Sequence, residues 1–119
     1  MKPIGGNVAW TNHSDRKLKE DIREIKSALD NICKLKPSIF KWKDVNPGVE
    51  KTDNLGLIAQ DVHEIYPEVV KDNGDCLSLE YTGLIAPIIK AIQELTERIS
   101  KIEKSLVVKI EARRAENGE

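Results

Sequence analysis

No apolar run in this 119-residue chain reaches the roughly 18 residues needed to span a bilayer, so no membrane partner is expected. The opening Met1-Lys2-Pro3-Ile4-Gly5-Gly6 also lacks the apolar stretch of a signal peptide, and the chain is expected to be soluble. An excess of either charge is missing: 19 Lys and Arg face 20 Asp and Glu, leaving a net charge of -1 although 33% of residues are charged. A dedicated surface for nucleic acid or another polyanion needs a basic excess, so no nucleic-acid partner is expected either. Cysteine is scarce. Cys33 and Cys76 lie far apart, form no CxxC pair and have no histidine cluster near them, which argues against both a disulfide framework and a metal site. Both read as small core residues of a chain made in a reducing compartment. His63, in Asp61-Val62-His63-Glu64, reads as a helix-surface residue rather than a ligand. No metal and no cofactor is expected.

A chain of this length holds one modest domain plus an extension, and oligomerisation is the expected supplement to so small a core. Three segments follow one another. Residues 1–13 are rich in Gly, Asn, Thr and small apolar residues, with Asn7-Val8-Ala9-Trp10-Thr11 alternating as an extended stretch. They read as the end of something larger upstream, although an expression scar has the same look. Residues 14–83 mix element types. Ile25, Ala28, Leu29, Ile32 and Leu35 have helical spacing over Arg23 to Lys36, and Pro37 stops that helix. Ser38 to Lys43 alternates as a strand, Asp44 to Asp53 is a loop, and Leu55 to Ala59 is a short strand whose Gly56 marks a close backbone approach. Gln60 to Ile65 is a brief helix ended by Pro67. Val69 to Lys71 and Leu77 to Glu80 then flank Asn73-Gly74 as a hairpin.

Residues 84–119 carry the clearest pattern. Ile85, Ile88, Ile92, Leu95, Ile99, Ile102 and Leu106 fall at spacings of three and four, a heptad seam sustained for about three repeats. Five of these seven are isoleucine, and isoleucine at both seam positions favours trimers or tetramers over dimers, so a trimer is expected. The seam fails after Leu106, where Lys109 and Arg113 follow and Val107, Val108 and Ile110 drift off the stripe. Pro87 is expected to remove a backbone hydrogen bond and bend the start of the helix. The fold class is therefore α+β: a small mixed domain followed by a long C-terminal coiled-coil helix, homotrimeric.

One stretch carries possible chemistry. Ser14-Asp15-Arg16-Lys17-Leu18-Lys19-Glu20-Asp21-Ile22 sets a hydroxyl nucleophile and an amine base five residues apart. Serine is a weak nucleophile until a base takes its proton, and lysine serves only when burial or positive neighbours favour its neutral form. Arg16 and Lys17 supply such neighbours to Lys19. If the backbone reverses between the two residues, Ser14 can attack the preceding carbonyl, that of His13. On spacing alone the pattern is weak, because Ser14 or Asp15 ahead of a charged stretch is also a helix N-cap signal.

The same stretch resembles the opening SDxRLKxxI signature of the intramolecular chaperone domain of phage tailspikes, tail fibres and neck appendages, the endosialidase-type self-cleaving (S74 peptidase) family. The likeness continues through Ala28-Leu29-Asp30, Leu35-Lys36-Pro37 and Phe40-Lys41-Trp42-Lys43. It is most specific at Gly56-Leu57-Ile58-Ala59-Gln60-Asp61-Val62 and Tyr66-Pro67-Glu68-Val69-Val70. Tyr81, Leu84 and Ala91-Ile92-Gln93-Glu94-Leu95 complete the order.

That resemblance implies a single-turnover serine endopeptidase acting on its own chain, with Ser14 as nucleophile, Lys19 as general base and the cleaved bond between His13 and Ser14. It implies that residues 1–13 are the remnant of an upstream fibre or spike, and that the domain trimerises that precursor, assists its folding and is then released. Its partners are then itself and the upstream part of the same precursor. It acts in the host cytoplasm during virion assembly and is absent from the mature virion. Where the family commonly has Arg two positions before the lysine, this chain has Lys17, with Arg16 displaced by one. No catalytic role falls to His13 or Asp15. The alternatives are a non-catalytic trimerisation cap of a fibrous protein and, since the family shares the domain, a piece of a membrane-tethered eukaryotic transcription factor.

Overall fold

The computed structural model of the chain describes residues 11–43 and 46–118. The molecule is elongated, 75 × 46 × 31 Å, because one helix dominates it. That helix, α3, spans Ile85–Glu116, 32 residues or about 48 Å at the usual rise. It has no internal glycine, and its proline stands at the third position. There the backbone N–H is one of the four that a helix leaves unpaired in any case, so Pro87 removes no bond from the ladder. The expected loss is thereby corrected: Pro87 is a buried first-turn residue. The helix also continues ten residues past Leu106. At its end Arg113 and Arg114 lie by the exposed carbonyls, and Gly118 turns left-handed with φ 74°.

A compact module lies against the start of α3. Helix α1 is Ala28–Ile32, strand β1 is Ser38–Phe40, β2 is Asn54–Gly56, helix α2 is Ala59–His63, β3 is Val70–Asp72 and β4 is Leu77–Leu79. Short 3₁₀ turns at Pro67–Val69 and Tyr81–Leu84 lead into β3 and α3. The strands pair as two antiparallel ribbons, β1 with β2 (Ile39 opposite Leu55) and β3 with β4 (Lys71 opposite Ser78). Val62, Val69 and Leu84 form the buried centre, with Leu35, Leu57, Tyr66, Val70 and Leu79 packed round it.

Local chemistry accounts for the second ribbon. Gly74 takes φ 91° and donates its N–H to Asp72 Oδ1 at 2.9 Å, while Asn73 N bonds Cys76 O at 3.0 Å. These contacts close the hairpin that Asn73-Gly74 announces. Two glycines mark close approaches. A Cβ on Gly56 would lie 2.9 Å from Tyr81 Oη, whose hydroxyl accepts the Leu57 N–H at 3.1 Å. A Cβ on Gly83 would lie 2.6 Å from Val69 Cγ1.

Other expectations are corrected. The helix expected over Arg23 to Lys36 is only the five residues of α1. Ser27 precedes it with φ 57°, a left-handed conformation unfavourable for a side chain with Cβ, and makes no capping bond. The cap comes from α3 instead. Both oxygens of Glu94 accept from α1, Oε1 from Ala28 N at 3.2 Å and Oε2 from Leu29 N at 2.8 Å. Leu35, read as part of the helical stripe, packs on the core from the turn beyond it. The strands are shorter than their patterns, ending at Phe40 and Gly56. Cys33 and Cys76 are exposed, not core residues, because one caps the C-terminus of α1 and the other sits in the hairpin loop. His63 is exposed on α2 as expected. The stretch Asn7 to Thr11 lies outside the described residues except for Thr11, as do Asp44 and Val45 of the expected loop.

Charge joins the two parts on one face of α3. Lys90 pairs with Glu24, Glu94 caps α1, and Arg98 Nη2 meets Asp30 Oδ1 at 3.1 Å. The hydrogen bond from Lys90, and then its charge, hold the Glu24 carboxyl below its ordinary value of 4.5; the same bond raises Lys90 above 10.5. A lowered acid stabilises above its unfolded value and loses that as pH falls through the folded one. A raised base does the reverse on the alkaline side, so the pair acts across the whole neutral range.

Removing the Glu94 carboxylate leaves the first two amides of α1 without acceptors. Glu94→Ala is expected to lower stability by about 1–3 kcal/mol, with Glu94→Gln between it and wild type, in chemical denaturation. Gly83→Ala forces buried Val69 to shift and is expected to destabilise by about 1–3 kcal/mol. Because Val69→Ala removes the clashing methyl, the Gly83→Ala penalty should shrink in that background when the four variants are compared in one cycle.

Candidate functional site

The segment before α1 is organised by one turn. Asp15 is extended, with φ -68° and ψ 134°, and its Oδ1 accepts the Lys17 N–H at 3.0 Å. That caps a 3₁₀ turn over Arg16–Leu18, closed by Leu18 N to Asp15 O and Lys19 N to Arg16 O, both 3.0 Å. The chain then leaves extended at Lys19. The turn supplies the reversal that a five-residue separation requires, and Lys19 Nζ donates to Ser14 Oγ at 2.7 Å. Of the two candidate caps, Asp15 is the one that caps the turn, and the Ser14 hydroxyl is left to the amine.

The polarity of that bond carries the chemistry. A charged ammonium donates to Oγ; a neutral amine in the same place accepts the hydroxyl proton, which is the base step a serine nucleophile needs. Ser14 adjoins the His13 carbonyl through its own peptide bond. Both members of the pair are exposed, as are His13 and the flanking Leu18 and Ile22. Lys17 Nζ lies 3.9 Å from Asp15 Oδ2, so Asp15 tempers one of the positive neighbours. Among the described residues no group of three or more His, Cys, Asp or Glu is placed to hold a metal ion, and no helix is long and apolar enough to cross a membrane.

The seven seam residues lie along one side of α3, each between 43% and 66% exposed, whereas Pro87 and Ala91 on the side facing α1 are buried. The seam is thus a continuous apolar stripe that the single chain leaves in water. Sequence reasoning missed two features. Glu94 was visible only as a charge beside the seam, with nothing local to show that it caps α1. The outward face of the first ribbon, where Ile39 and Leu55 are paired, is also apolar and exposed; its signal was the same alternation that announced the strands.

The profile of the family described as chaperone of endosialidase matches residues 14–71, starting at the serine of the pair. Residues 14–71 of this chain belong to that family. It is 34% identical over 103 residues to the long tail fiber protein Gp37 of Enterobacteria phage M1, a match covering 82% of this chain and 41% of that protein. It is 32% identical over 120 residues to the probable tail fiber protein of Escherichia phage Phieco32, covering 89% of this chain and 16% of that protein. It is also 27% identical over 106 residues to myelin regulatory factor homolog 1 of Caenorhabditis elegans, covering 83% and 11%. The chain thus spans less than half the length of these curated relatives. The chaperone segment closes within β3, so the hairpin's second strand and α3 extend beyond it.

Proposed function

We propose that this chain is the chaperone domain of a phage tail fibre or a related spike or appendage, that it assembles as a homotrimer, and that it releases itself by one cleavage between His13 and Ser14. The observation that carries the chemical part is the 2.7 Å contact between Lys19 Nζ and Ser14 Oγ, formed by a turn whose cap is satisfied elsewhere. Lys19 takes the hydroxyl proton as Ser14 Oγ attacks the carbonyl carbon of His13. The C–N bond breaks, the proton passes to the Ser14 nitrogen, and an ester joins His13 to Oγ. Water then opens the ester, leaving a His13 carboxylate upstream and a free Ser14 amine and hydroxyl downstream. The site works once on its own chain.

Assembly rests on the exposed seam from Ile85 to Leu106. Burying it between three helices removes a long apolar stripe from water, and its isoleucines favour the trimer. A trimer of such helices brings three fibre chains into register. That is the slow, entropically opposed step for an intertwined fold rich in non-local contacts. Release afterwards leaves the fibre kinetically trapped, since the part that assisted assembly is gone. In this reading the domain acts in the host cytoplasm during assembly, residues 1–13 belong to the upstream fibre, 14–83 form the chaperone module and 84–119 the assembly helix. The phage relatives support the fibre context. A second reading, a non-catalytic trimerisation cap, is favoured by one observation: Ser14 and Lys19 are both open to water in the single chain.

Intact-mass measurements on the freshly made 119-residue chain separate these readings. Wild type is expected to lose residues 1–13 with time, while Ser14→Ala and Lys19→Ala slow that loss by about 10³-fold or more. Unchanged cleavage in both variants overturns the pair, and an uncleaved wild-type trimer supports the cap. Trimer formation is read independently by sedimentation. Ile92→Asp or Ile99→Asp should give monomers at micromolar concentration, because a charge buried in the seam has no partner. A wild-type monomer with α3 intact by circular dichroism contradicts the seam.

A further inference from the structure

The seam sets which residues flank it. With Ile85, Ile92, Ile99 and Leu106 at a and Ile88, Leu95 and Ile102 at d, the g positions are Leu84, Ala91, Arg98 and Ser105. The e positions are Ile89, Thr96, Glu103 and Ile110. In a parallel, in-register coil each g residue lies beside the e residue of the following heptad on the neighbouring helix. Within α3, Ala91 then faces Thr96, Arg98 faces Glu103 and Ser105 faces Ile110. One of these three contacts joins charges, and the charges are opposite.

Each end of that pair is prepared for it. Arg98 spends one arm on Asp30, Nη2 to Oδ1 at 3.1 Å, yet its side chain stays 57% exposed, so the rest of its five-donor fork remains in solvent. Glu103 is exposed and has no ion-pair partner among the described residues. Within one helix the two residues lie on different faces and do not meet. Thr96, the preceding e residue, is already satisfied through its hydroxyl, which donates to Ile92 O at 2.8 Å.

We infer that Arg98 is a bifunctional register clamp: it holds Asp30 of its own α1 with one arm and Glu103 of a second copy of this chain with the other, fixing α3 parallel and in register in the assembly. This deepens the trimer reading and rests on it. An antiparallel arrangement sets g against g and e against e, so Arg98 and Glu103 never meet there, and a shift by one heptad sets Arg98 beside Thr96 or Ile110. Since Asp30 belongs to α1, the clamp also links the small module of one chain to the helix of the next.

The test is a double-mutant cycle on the trimer dissociation constant of the full chain, using Arg98→Ala, Glu103→Ala and the two together in sedimentation equilibrium. Loss of the Asp30 contact is common to both Arg98→Ala chains and cancels in the cycle. The product of the single effects should exceed the double effect by about tenfold, the size expected for three exposed ion pairs per trimer. That coupling should fade in about 1 M salt. Lys104→Ala, on the outer face, should leave the constant unchanged. Single effects that multiply without coupling, in a chain that still forms trimers, overturn the clamp and leave the trimer standing. A wild-type chain that sediments as a monomer overturns both.

Discussion

Glu94 reaches across 66 residues of sequence to cap α1, and the relation of the module to the long helix depends on that carboxylate. α1 is too short to be stable alone, since a helix of five residues has hardly closed its nucleus. Its first amides are aimed at α3, and a carboxylate at that end meets both the unpaired N–H groups and the positive end of the helix dipole. Lys90 and Arg98 stand one turn to either side of Glu94 and pair with Glu24 and Asp30. Three charged side chains at intervals of four thus form a stripe along α3 that fixes where the small module sits. These bonds are charge-assisted and directional, so they set position more sharply than the small apolar core could by itself.

The same physics decides what was legible in the sequence. The hairpin at Asn73-Gly74 was legible because everything that closes it lies within a few residues: a left-handed glycine, Asp72 below it and the return bond to Cys76. The seam was legible because a heptad pattern is local arithmetic. The span of α1 was not. Apolar spacing from Ile25 to Leu35 satisfies a helical period, yet the backbone is left-handed at Ser27 and turns after Cys33, with Leu35 drawn into the core. The period recorded which side chains are buried, and the distant carboxylate decided where the helix begins. Reading Cys33 and Cys76 as core residues failed for a related reason. Small apolar character says only that burial is tolerated, and Cys33 ends α1 while Cys76 lies in the hairpin loop.

The candidate site lies between these cases. A five-residue spacing is uninformative in an extended chain and decisive round a 3₁₀ turn, and the turn was foreshadowed by Asp15 as a cap. What the spacing left open was the division of labour between two adjacent cap-forming residues. Asp15 takes the backbone amide, as a carboxylate does better than a hydroxyl next to Arg16 and Lys17, and Ser14 is thereby released to meet Lys19.

Two faces of α3 have separate duties, and their separation gives the proposed chaperone its logic. The face with Ala91, Glu94 and Arg98 is occupied by the chain's own module, so it is satisfied before any partner arrives. The seam from Ile85 to Leu106 is left exposed, so the driving force of the proposed assembly is apolar and gains nothing until helices meet. A hydrophobic seam alone tolerates sliding by a heptad, because isoleucine packs much like isoleucine. Polar groups at the flanks are what distinguish one register from the next, at little cost in stability. Arg98 borders both faces. In the proposed trimer, placing the discriminating charge on the residue that also holds α1 makes a misregistered assembly one in which the module has lost nothing but the assembly has. Errors then dissociate while the domain stays folded, which is the behaviour a folding template needs if it is to be tried again.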